Sequence, residues 1–162
     1  MTHRVMVTGH RQLGGSTHVV RAQLGRVLDG LQARHPLLGA VSGMAIGPDL
    51  LFAEAALERA IPLIAAVPLP GQSDSWAPDN RRRWQSCIDR ASVVEVWNQE
   101  GYKRSSVVER LLIRNVWMLD NSETIIAVWS GRRGGGTWHA ISEARKRGRR
   151  ILWVHSGTGA MK

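Results

Sequence analysis

Six short apolar runs recur along this chain, and each is followed by a turn and then, in all but the last case, by a segment of helical or loop character. The runs are Val5-Met6-Val7, Leu37 to Val41, Leu63 to Val67, Val93 to Trp97, Thr124 to Trp129 and Ile151 to Val154. Between the first two, Gly14-Gly15-Ser16 reads as a loop and N-cap, and Val20, Leu24, Val27, Leu28 and Leu31 fall at helical spacing. Pro48 suits the first turn of a second helix carrying Leu51, Ala55 and Leu57 and ending near Arg59. A short helix is expected over Arg81 to Arg90. Ser106 and Glu109 form a capping box for a helix through Val108, Leu111, Leu112 and Leu119. The last helix runs from Thr137 to about Arg147, with Gly148 as its stop. Short apolar strands alternating with helices predict an α/β fold: a parallel sheet of about six strands with helices on both faces. One domain is expected over residues 1–156, with 157–162 as a frayed tail.

At 162 residues the length fits one domain. Hydrophobic residues make up 43% and charged residues 22%, which excludes wholesale disorder. No window reaches the ~18 apolar residues of a membrane span. The single cysteine, Cys87, excludes an intrachain disulfide framework and a Cys-rich metal site. It lies among Ile88 and Ala91 and reads as a small core residue. The six histidines are scattered, so no metal and no cofactor is expected. Cysteine usage and the lack of a signal-peptide pattern predict a cytoplasmic protein. The net charge of +9 has two readings: a polyanionic partner, or a coding bias, since 19 of the 22 basic residues are Arg.

Open α/β sheets bind ligands at the carboxyl ends of their strands. The unusual residues of this chain lie there. Thr8-Gly9-His10-Arg11 follows the first strand, where Gly9 permits close backbone approach and Arg11 offers a fork of donors to a phosphate. Ser42-Gly43-Met44-Ala45-Ile46-Gly47-Pro48-Asp49 follows the second. Asp49 either complements the helix dipole or accepts hydrogen bonds from a ribose. Ser130-Gly131-Arg132-Arg133-Gly134-Gly135-Gly136-Thr137 follows the fifth, and its glycines, arginines and helix start suit a phosphate. Neither Gly-x-Gly-x-x-Gly nor a P-loop lysine motif is present. Arg114, Asn115 and Asp120 near the end of the fourth helix are hard to explain by packing, whereas Trp117 and Met118 suit the core. Gln72, Trp76 and Trp84 flank a polar loop, where Trp76 either stacks on a base or pins the loop. Arg81-Arg82-Arg83 and the cluster from Arg145 to Arg150 read as solvated faces.

Taken in order, Thr8-Gly9-His10-Arg11, Ser42 to Gly47 with Asp49, Ile61 to Ile64, Pro68 with Gly71-Gln72 and Trp76, Arg114-Asn115-x-Trp117-Met118-x-Asp120-Asn121-Ser122, and Ala127-Val128-Trp129 with Gly135-Gly136-Thr137 resemble the YpsA-like branch of the SLOG superfamily. The likeness runs from about residue 5 to residue 155. It implies a Rossmann-like fold with a pocket for a nucleotide derivative. Relatives of that superfamily include LOG-type phosphoribohydrolases, the DNA-processing protein DprA and sensor domains for ADP-ribose-like signals. The pocket residues it implies are Gly9, Arg11, Gly43, Asp49, Arg114, Asn115, Asp120, Gly135, Gly136 and Thr137. Thr8, His10, Ser42, Met44, Gln72, Trp76, Trp129 and Gly134 complete the expected ligand-binding set.

LOG enzymes place a Glu within the helical turn after their Gly-x-Gly-Thr motif. Here Thr137 is followed by Trp138-His139-Ala140, and the nearest carboxylate is Glu143, about 9 Å further along the helix axis. Asp49, Glu54 and Asp120 are the carboxylates that could replace the LOG Glu, Asp49 and Asp120 being the leading catalytic candidates. Three functions are therefore expected in descending order. The first is capture of a nucleotide or ADP-ribose-like ligand by a sensor or sequestering protein. The second is N-glycosidic hydrolysis of a nucleoside monophosphate. The third is single-stranded DNA binding of the DprA kind. A homodimer through apolar Trp residues is a further expectation.

Overall fold

The computed structural model describes residues 3–96 and 106–161. Six strands form one sheet: β1 (Arg4–Gly9), β2 (Gly39–Ser42), β3 (Leu63–Val67), β4 (Val93–Val96), β5 (Thr124–Trp129) and β6 (Arg150–His155). Five helices alternate with them: α1 (Thr17–Arg34), α2 (Pro48–Glu58), α3 (Pro78–Arg90), α4 (Val107–Asp120) and α5 (Gly135–Lys146). Every strand pair is parallel, in the order β4-β3-β2-β1-β5-β6. This is the Rossmann-like sheet expected.

The order dictates where helices lie. From β1 the chain steps outward to β4, and right-handed crossovers put α1, α2 and α3 on one face. α4 then carries the chain back across the sheet to β5, beside β1, so α4 and α5 pack together on the other face. Side chains of β1 divide accordingly. Val5 and Val7 pack with Val20, Leu24, Leu28 and Phe52, whereas Met6 packs with Met118, Leu119 and Ile125. Each fully buried Leu or Phe contributes about 1.5–3 kcal/mol. A crevice opens where the chain reverses direction, at the carboxyl ends of β1 and β5.

Element ends follow local chemistry. Ser106 accepts the amide of Glu109 and caps α4 as expected. Ser16 occupies the N-cap position of α1, but its hydroxyl lies on Leu13 O and Ser156 O and caps no amide. α3 begins at Pro78, three residues before the expected Arg81, because Pro is well placed in a first turn. Trp97, the expected end of the fourth strand, lies outside the described residues. The tail is paired rather than frayed over its described part: Ala160 O accepts from His155 N at 2.9 Å, and Met161 bridges antiparallel to Val154. Among the described residues, no helix is long and apolar enough to cross a membrane.

Candidate functional site

A cavity of about 260 Å³ occupies the crevice. The end of β1 supplies Val7, Thr8, Gly9, His10 and Arg11. The loop after β2 and the start of α2 supply Ala45 and Asp49, α4 supplies Leu111, Arg114, Asn115 and Met118, and the first turn of α5 supplies Gly136 and Thr137. Thus the starts of two helices, α2 and α5, meet at one opening, and each offers unpaired amides and the positive end of its dipole.

Close backbone approach holds these loops together. Gly47 has φ 94°, and a side chain there would meet Arg11 O at 2.5 Å. Gly9 is hemmed in by Pro48 and Val128, so β1, α2 and β5 converge without room for a methyl group. Met44 is buried with φ 60°, an unusual conformation for a residue with a side chain. Ser42 Oγ fixes that turn by accepting from Met44 N at 3.2 Å and donating to Asp49 O at 2.8 Å.

Two charged side chains lie beneath the opening. Asp49 is 8% exposed and Arg114 is 6% exposed. Asp49 Oδ2 accepts the amide of Ala45 at 3.3 Å. Arg114 donates through Nη1 to Gly43 O at 2.6 Å and to Ala66 O at 3.4 Å, and through Nε to Asn115 Oδ1 at 2.9 Å. Burial pushes the Asp49 carboxyl pKa up, and the opposing fields of Arg114 and Arg11 only partly offset it. Burial likewise lowers the Arg114 pKa, against the attraction of Asp49. His10 Nε2 is buried without a hydrogen-bond partner among the described residues. An unsatisfied buried polar group costs about 1–3 kcal/mol, which a ligand group would recover.

Nine of the expected site residues line this cavity: Thr8, Gly9, His10, Arg11, Asp49, Arg114, Asn115, Gly136 and Thr137. Ser42, Gly43 and Met44 support it from below through the bonds above. Gln72 works from behind, donating to Gly43 O at 3.0 Å while its Oε1 accepts from Trp84 Nε1 at 3.0 Å. Trp76 is half-buried and is not among the lining residues. Gly134 is the N-cap of α5 and Gly135 its first residue, beside the lining pair. Asp120 stands at the far end of α4, exposed and paired with Arg147 at 3.0 Å. Trp129 faces a different cleft, which it lines with Trp153, and stacks on Trp138. Sequence reasoning missed Val7, Ala45, Leu111 and Met118 as lining residues. Leu111, Arg114, Asn115 and Met118 share one helical stripe, and polar groups inside an apolar stripe were the available signal.

The profile of the DNA recombination-mediator protein A family matches residues 2–161. The chain belongs to that family. Two UPF0398 proteins of Bacillus cereus, from strains B4264 and ATCC 14579, are each 23% identical over 113 residues, covering 67% of this chain and 59% of the relative. The DNA processing protein A (DprA) of Streptococcus pneumoniae has a similar structure, with a TM-score of 0.69 and 21% identity over 94% of this chain and 50% of that one. The molybdenum cofactor carrier protein of Chlamydomonas reinhardtii gives 0.55 at 17% identity, covering 94% and 76%. These findings fit the YpsA-like branch of the SLOG superfamily, and at such identities the solved structures establish the fold alone. The chain spans 59% of the length of the Bacillus cereus relatives and half of the DprA chain.

Proposed function

We propose that the β1–β5 cavity binds a nucleotide or ADP-ribose-like ligand, and that the chain acts as a sensor or sequestering protein for it. The observation that carries this reading is the convergence of two helix starts, Arg11 and the buried side chains of Asp49 and Arg114 on one opening. Helix starts and arginine hold phosphate, and a buried carboxylate reads ribose hydroxyls. A volume of about 260 Å³ lies just under the ~300–1,000 Å³ of whole-ligand sites. It therefore takes a ribose phosphate and leaves the base at the mouth. The test is calorimetric titration with ADP-ribose and AMP. Binding that weakens at least about tenfold in Arg11→Ala, with an unchanged melting temperature, is expected. Equal affinity in parent and variant refutes the placement.

Family membership and the net charge of +9 favour one second reading, single-stranded DNA. Its affinity for an oligonucleotide would fall steeply with salt, whereas a small-nucleotide pocket shows a shallow slope. The same titrations at low and high salt separate the two.

A further inference from the structure

A second cleft, of about 460 Å³, lies at the β5–β6 end of the sheet on the α5 face. It is lined by Trp129, Ser130, Gly131, Arg145, Trp153, Val154 and His155. None of these residues lines the β1–β5 cavity. Its size falls within the range of small-molecule sites.

The walls are aromatic and built. Trp129 stacks on Trp138 with ring centroids 5.5 Å apart and planes 20° from parallel. Trp153 leans on Trp129 at 5.4 Å and 41°. Trp129 Nε1 donates to Arg132 O at 2.7 Å, which fixes the indole and leaves ring surface toward the cleft. All three indoles are only half-buried. Their exposed ring surface is therefore free to meet a planar group.

The polar groups set the occupant's charge. The Arg145 guanidinium lies 5.5 Å from the Trp153 ring centroid and 5.6 Å from that of Trp138, within the range of a cation–π contact. His155 Nδ1 accepts from Gly157 N at 3.1 Å and Thr158 N at 3.2 Å, so the neutral ring carries its proton on Nε2 as a donor. Among the described residues no carboxylate lines the cleft. Indole walls with cationic and N–H donor groups suit a flat ring bearing a negative group.

We propose that this cleft is a separate binding site for a planar heteroaromatic anion, a purine nucleoside monophosphate being its simplest representative. The ring lies against Trp129 and Trp153, and Arg145 with His155 holds the anionic group. This site does not rest on the β1–β5 reading.

The test follows the indole N–H resonances of the full chain by NMR during titration with AMP, with ribose 5-phosphate as the ringless control. Trp129→Phe and Trp153→Phe assign the two signals. AMP is expected to shift both, and ribose 5-phosphate neither. Arg145→Gln, a change at an exposed position, is expected to weaken the AMP response about tenfold. Arg11→Ala, which strips the other cavity, leaves it intact. Four results overturn the proposal: indole signals unmoved by millimolar AMP, equal shifts with ribose 5-phosphate, shifts lost in Arg11→Ala, or shifts that follow protein concentration in place of AMP. The last would mark the cleft as a face between copies of the chain.

Discussion

Two glycine-to-alanine changes separate the packing of the β1–β5 cavity from its proposed chemistry. At Gly9 an added methyl stands 2.7 Å from Pro48 Cγ and 2.9 Å from both Val128 Cβ and Val128 O. Carbon atoms rest comfortably at about 3.5–4.0 Å, so neighbours must retreat by nearly 1 Å. They are poorly placed to do so. Pro48 is fixed in the first turn of α2, and Val128 sits opposite Gly9 in the β1–β5 ladder. Overpacking of this kind costs about 1–3 kcal/mol. In a domain near this size each kcal/mol lowers the melting temperature by roughly 2–4 °C, so a loss of roughly 4–8 °C is expected at about 2 kcal/mol. Gly136 is the counter-case. An added methyl there meets nothing within 4 Å, and the residue is the second of α5. Alanine is the better helix former by up to about 1 kcal/mol, so stability is held or raised. The methyl nevertheless enters the cavity where the proposed phosphate would meet the helix amides, and ADP-ribose affinity is expected to fall at least about tenfold. Urea unfolding followed by Trp fluorescence reads the first effect, and calorimetry the second. A Gly9→Ala variant within about 0.5 kcal/mol of the parent would refute the convergence of β1, α2 and β5. A Gly136→Ala variant that binds like the parent would remove the phosphate from the start of α5.

Three further outcomes are expected. Burial raises the Asp49 pKa, so ionised Asp49 costs the fold stability that returns as pH falls through that raised value. On the proposed reading protonation also removes the carboxylate that would accept from ribose, so ADP-ribose affinity falls with it; calorimetry in a His10→Gln background should show the fall above the ordinary carboxylate range, and Asp49→Asn should flatten it. Gln72→Ala strips Trp84 Nε1 of its acceptor and Gly43 O of one donor, which costs about 1 kcal/mol in urea unfolding. Cys87 is 2% exposed, and burial with the nearby Glu54 pushes its thiol pKa up to about 11. Iodoacetamide at about pH 8 should therefore label it only after denaturation, and rapid labelling of the folded chain would contradict its burial.

The strands of this fold were legible because burial on both faces leaves continuous apolar runs. β3 and β5 have the bounds that Leu63 to Val67 and Thr124 to Trp129 suggest. The start of α3 was less legible, since a polar helix carrying Arg81, Arg82 and Arg83 offers little periodic signal in the turn from Pro78 to Asn80. For the site, motif order along the chain brought together residues that the sheet places side by side. It failed where a motif continues past the cavity. Arg114 and Asn115 face the opening, but Asp120 is about one and a half turns further along α4 and pairs with Arg147 instead. Trp129 shows a second limit. It ends a strand that leads to the cavity, yet strand alternation turns its ring toward α5 and the Trp153 cleft. Direction of a side chain depends on the pleat, which residue order alone does not weigh.

Binding and hydrolysis differ in what they ask of carboxylates. Cleaving an N-glycosidic bond requires a carboxyl group that activates water or stabilises positive charge near the anomeric carbon. Glu143 is poorly suited. Lys146 and Arg147 both hydrogen-bond to it and hold its pKa down to about 2, so it stays an ion-paired anion along α5. Asp120 is occupied by Arg147 at the far end of α4. Asp49 is the carboxyl group that lines the cavity among the described residues, and its raised pKa suits proton transfer better than either. Any turnover at this site would therefore run through Asp49. If the cavity only binds, Asp49→Asn changes ADP-ribose affinity and no free base appears from AMP with either protein. If the parent releases adenine and Asp49→Asn does not, while Glu143→Gln and Asp120→Asn do, the sensor reading gives way to a hydrolase whose carboxylate sits at the start of α2.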